Sequence, residues 1–132
     1  MKTNKYSRDW YKNLKQSLLT PPSYIFPIVW TILYIMIAIS GFSYIKNNSK
    51  DVYGISIFFI QLFFNIIWPY LFFNKKNPKL ALIDLSLLWS TLLLTIIQFF
   101  KNKNNFSAYL LVPYFIWVTF AGYLNSYIVI NN

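Results

Sequence analysis

Gln61, Asn65, Trp68 and Phe72 recur at i, i+4, i+7 and i+11, a spacing that sets two amides and two rings on one face of a helix. Phe26, Trp30 and Tyr34 repeat at steps of four, with Leu33 and Ile37 beside them, and Pro113, Trp117, Ala121 and Asn125 do the same near the end of the chain. A fourth face carries Asp84, Thr91, Thr95 and Gln98. Large flat rings with a few amides suit a flat, apolar small molecule with polar edges. Other chemistry is excluded by what the chain lacks. It has no Cys, no His, three acidic residues and only Met1 and Met36 as methionines, so no metal cluster, thiolate nucleophile or Ser-His-Asp triad can be assembled. No metal site and no required cofactor is expected. Apart from tyrosine, the usual axial ligands of haem iron are missing as well, so a bound tetrapyrrole must be held through its macrocycle.

The elements that position these faces follow from composition. Of 132 residues, 57% are hydrophobic and 11% charged, more apolar surface than a soluble domain of this size can bury. Apolar runs at about 25–45, 53–73, 80–100 and 107–130 each approach the ~20 residues with which a helix crosses the hydrocarbon layer. Transmembrane strands would alternate apolar and polar residues, whereas ALIDLSLLWSTLLLTIIQFF is apolar nearly all round. The expected fold is therefore an all-α membrane protein, a single domain over 1–132 with four transmembrane helices and an amphipathic N-terminal leader. In that leader Trp10, Leu14 and Leu18 repeat every four residues while Arg8, Lys12 and Lys15 face elsewhere, which suits a segment lying on the membrane surface. The leader lacks a small-residue cleavage pattern, so the first span is expected to remain as an anchor.

The net charge of +9 has a topological cause. Lys2, Lys5, Arg8, Lys12 and Lys15 precede the first span and Lys75, Lys76 and Lys79 separate the second from the third. Lys46, Lys50, Lys101 and Lys103 lie in the other two connections. The asymmetry predicts an integral cell-membrane protein with both termini cytoplasmic, and it argues against nucleic acid as a partner.

Ordinary membrane roles compete for several of these residues. Trp10, Tyr44, Tyr53, Tyr109 and Tyr127 suit the membrane interface, and Ser56, Thr31, Ser86, Ser90 and Gly122 suit contacts between helices. Trp30, Trp68, Trp89 and Trp117 sit deeper, where an indole N–H needs a partner or a ligand. Asp84 has two readings: a ligand or network role, or an interfacial pair with Lys79.

Four stretches together resemble the TspO/MBR family, the tryptophan-rich sensory proteins related to the mitochondrial translocator protein or peripheral benzodiazepine receptor. They are WYKNLKQSLLTPPSYIFPIVWTILY, QLFFNIIWPYLFF, ALIDLSLLWSTLLLTI and the segment with Pro113-Tyr114, Trp117, Phe120-Ala121 and Tyr123-Leu124-Asn125. The resemblance implies a helix bundle around a pocket for porphyrins such as protoporphyrin IX and, in some members, sterols or benzodiazepine-type ligands. By motif position, Trp30, Asn65, Trp68, Asp84, Trp117 and Ala121 would line it, joined by Phe26 and Tyr34 on the stripe of Trp30, with Pro21 and Pro22 in a covering loop. It implies a sensor, scavenger or regulator. The alternatives are light-dependent porphyrin degradation carried by Trp30 and Trp117, a small multidrug-type transporter, and a shortened paralogue serving as an interaction partner. The transporter reading lacks a carboxylate in the first span.

The departures from the family shape further expectations. The family has five transmembrane helices and this chain four spans, so the pocket is expected to be open on one side or closed by a second copy in a homodimer. In the loop, Gln16-Ser17 stand where the family has Lys-Pro, and Leu19 stands where it has an aromatic residue. After Tyr127 the chain reads IVINN without a basic residue, which argues for a porphyrin over a sterol.

Overall fold

The computed structural model describes residues 25–131. The leader, with Pro21 and Pro22, lies outside them. Among the described residues the fold is all-α, with four helices long and apolar enough to cross a membrane. They are α1 (Ile25–Asn47), α2 (Val52–Pro69, continued by a π-helical turn over Tyr70–Asn74), α3 (Pro78–Lys101) and α4 (Asn105–Asn131). The chain is an integral membrane helix bundle, as the apolar runs require.

Local chemistry sets the helix ends. Pro69 has no N–H to give the carbonyl one turn back, and the wide turn follows directly, closed by the Lys75 N–H on the Tyr70 carbonyl at 2.9 Å. Asn77 caps α3, its side-chain oxygen accepting from the Leu80 N–H at 3.1 Å, with Pro78 at the position where a missing donor costs nothing. At the far end of α3, Lys103 takes a left-handed conformation (φ 61°). The N–H groups of Lys103 and Asn104 then bond back to the carbonyls of Phe100 and Phe99, the double closure that satisfies the last carbonyls of a helix.

α3 packs between α2 and α4, and α1 lies mainly against α4, meeting α2 sparingly. One close approach is at Gly41, where a Cβ would stand 2.5 Å from the Phe58 ring. Ile28, Ile32, Ile35, Phe42, Phe63, Ile66 and Ile116 point outward, as a lipid-facing surface demands.

The inward stripe of α4 is Tyr114, Val118, Ala121 and Asn125. The repeat Pro113, Trp117, Ala121, Asn125 is not one face, since Pro113 is exposed and Trp117 half-buried. A step of four advances about 400° around a helix with 3.6 residues per turn, so such a row drifts about 40° per step.

Candidate functional site

The interior of the bundle is built from amides and tyrosines beside an aromatic wall. Trp30 of α1 is 4% exposed and meets Trp117 of α4 edge to face, with ring centroids 6.5 Å apart. Tyr34, one turn after Trp30, lies 5.7 Å from its ring, and Phe120 lies 5.7 Å from Trp117. Edge-to-face and tilted contacts of this kind place the positive rim of one ring on the negative face of another. They line the α1–α4 seam with aromatic rings.

A hydrogen-bonded relay begins at this wall. The Tyr34 O–H donates to Asn65 Oδ1 (2.6 Å), Asn65 Nδ2 donates to the Tyr114 hydroxyl (2.8 Å), and the Tyr114 O–H donates to Gln61 Oε1 (2.7 Å). Gln61, Asn65 and Tyr114 are almost completely buried. The relay ties α1, α2 and α4 together where lipid offers no competing partner. Gln61 Nε2 and Asp84 Oδ2, and at the start of α4 Ser107 Oγ, stay without a hydrogen-bond partner among the described residues.

Trp68 is engaged differently. Its indole N–H donates to Asn125 Oδ1 at 3.0 Å, Asn125 Nδ2 donates to the Pro78 carbonyl at 3.0 Å, and its ring stacks on Phe72 at 5.2 Å. It thereby fastens the ends of α2 and α4 to the start of α3. Ala121 is buried on the same stripe of α4 as Tyr114 and Asn125.

Asp84 is 6% exposed and makes no ion pair with Lys79 among the described residues; Lys79 itself is exposed. The interfacial pair is thus replaced by a carboxyl turned into the bundle. Phe26 belongs to α1, and its side chain lies outside what the structure describes. Trp89 is 37% exposed on the outer face and donates to Thr119 at 2.9 Å, away from the relay.

The sequence reading of the small polar residues needs correction. Thr31, Ser86 and Ser90 bond to carbonyls one turn back in their own helices instead of crossing between helices. Tyr44, expected at the interface, is 1% exposed. It stacks on Phe99 at 3.8 Å and donates to the Asp51 carboxylate, which also accepts from Gln98 (3.0 Å) and Asn102 (2.7 Å). This second polar knot joins the α1–α2 connection to the end of α3. Burial opposes the charge of Asp51, but the bonds from Tyr44, Gln98, the Gly54 backbone and Asn102 outweigh it and hold its carboxyl below the ordinary value.

An all-helical membrane bundle with an aromatic wall and a buried amide–tyrosine relay is the class that fold and site define. The model of the TspO/MBR family matches residues 1–130. A tryptophan-rich protein TspO of Chlorobaculum tepidum is 40% identical over 121 residues, covering 88% of this chain and 75% of that protein. Protein CrtK of Rhodobacter capsulatus is 34% identical (88% and 74% covered), and the translocator protein of Bos taurus is 30% identical (88% and 70% covered). The chain belongs to the TspO/MBR family.

Proposed function

We propose that this TspO-type membrane protein binds a tetrapyrrole such as protoporphyrin IX and acts as a sensor, scavenger or regulator. The observation that carries the reading is the Trp30–Trp117 wall with the Tyr34–Asn65–Tyr114 relay rising from it. Indole surface stacks on a flat macrocycle, and sparse interior amides orient its polar edge. Asp84 and Ala121 complete the candidate lining, and Trp68 supports it through Asn125. The basic leader and the Lys75–Lys79 connection support a topology with both termini in the cytoplasm, and a homodimer would cover the flank where α1 and α2 meet sparingly.

Titration of the purified protein with protoporphyrin IX should give saturable quenching of tryptophan fluorescence that weakens in Trp30→Ala and Trp117→Ala. Equal binding by wild type and both variants would remove this wall from the site. Light-dependent breakdown of the bound macrocycle is a second reading, favoured by two indoles meeting at one wall. It requires loss of porphyrin absorbance on illumination, whereas binding alone preserves the macrocycle spectrum.

A further inference from the structure

Gln61 ends the relay with one side of its amide unused. The direction of the relay follows from how the Asn65 amide sits in the structure. Asn65 takes the Tyr34 proton on its carbonyl, so its NH2 must point to Tyr114. The Tyr114 oxygen is then occupied by that N–H, and its single proton goes to the Gln61 carbonyl. The Gln61 NH2 is therefore turned away from Tyr114. It is held inside the bundle at 0% residue exposure with no acceptor among the described residues. A buried donor without an acceptor destabilises the empty bundle, and an acceptor oxygen on a bound molecule removes that penalty.

We propose that Gln61 is a ligand-binding residue that selects molecules carrying an acceptor oxygen, and that Tyr34, Asn65 and Tyr114 position it by engaging its carbonyl and leaving its NH2 free. Resting on the tetrapyrrole reading, the acceptor is a carboxyl oxygen of a porphyrin side chain. The relay starts beside Trp30, so the macrocycle face and the carboxyl are read by two parts of one connected structure.

The test compares protoporphyrin IX with etioporphyrin, an all-alkyl macrocycle that offers no oxygen, on the full chain in detergent. The variants are Gln61→Glu, which keeps an acceptor for Tyr114 but puts an oxygen in place of the donor, and Gln61→Leu. Both should raise the Kd for protoporphyrin IX by about tenfold and change the Kd for etioporphyrin by less than about twofold. Wild type should itself prefer protoporphyrin IX by about tenfold, a readout that survives if the variants fail to fold. Equal losses for the two porphyrins would reduce Gln61 to a packing residue, and unchanged binding of both would show that the donor meets no ligand; either overturns this assignment while the tetrapyrrole reading stands. Absence of saturable binding of either porphyrin to wild type overturns both.

Discussion

Tyr114→Phe tests the relay with the smallest possible change of shape. The Tyr114 hydroxyl accepts from Asn65 Nδ2 at 2.8 Å and donates to Gln61 Oε1 at 2.7 Å, and the side chain is 0% exposed. Deleting its oxygen abolishes two interhelical bonds and leaves the two amide groups without those partners. Hydrogen bonds between membrane helices average about 0.6 kcal/mol and reach about 1.7 kcal/mol, so two of them give about 1–2 kcal/mol. That corresponds to a factor of about 5–30 in the folding equilibrium. Unfolding by sodium dodecyl sulfate in mixed micelles, followed by circular dichroism, measures it. Tyr109→Phe is the control, because Tyr109 is 64% exposed, and should stay within about 0.5 kcal/mol of wild type. If Tyr114→Phe costs no more than the control, the relay contributes nothing to holding α2 against α4 and the orientation argument for Gln61 falls with it.

Gly41→Ala should destabilise by about 1–3 kcal/mol, since its Cβ would press on the buried Phe58 ring, whereas Gly122→Ala, with Leu85 at an ordinary 3.8 Å, should be neutral within about 0.5 kcal/mol in the same assay. Trp68→Phe should cost about 1 kcal/mol through loss of the bond to Asn125, with Asn125→Leu giving a similar loss and the double variant less than the sum. The Asp51 carboxyl is held below its ordinary value, so its stabilisation is complete above the unfolded value of about 3.9 and disappears as pH falls through the folded one. A melting series from pH 7 into acid should therefore show a decline confined to the region below about pH 4, and Asp51→Asn should flatten it. An unchanged acid slope in Asp51→Asn would remove Asp51 as its source.

The helices are legible because a span needs only length and apolarity, and both are local properties of the chain. The meeting of Trp30 with Trp117 is less local, and only the resemblance links those two positions in advance. Tyr114 escaped because a step-four row drew attention to Pro113 beside it, although the i, i+4, i+7, i+11 row of Tyr114, Val118, Ala121 and Asn125 follows the helix more closely. Asp51 and Tyr44 gave no signal at all. Their partners Gln98 and Asn102 lie some fifty residues on, and a tyrosine near a span end reads by default as an interfacial ring. Asp84 was ambiguous for a physical reason: a lysine near in sequence does not fix which way a carboxyl turns around its helix.

The packing of α1 against α4 has a consequence for biogenesis. Each of α2, α3 and α4 docks on its predecessor or successor, so those contacts can form as soon as the next helix leaves the ribosome and enters the lipid. α1 must wait, because its main neighbour is made last among the four described helices. The wall of Trp30 and Trp117 is then the final part of the bundle to exist, and a nascent chain halted before α4 has its first helix in the bilayer with no site to close.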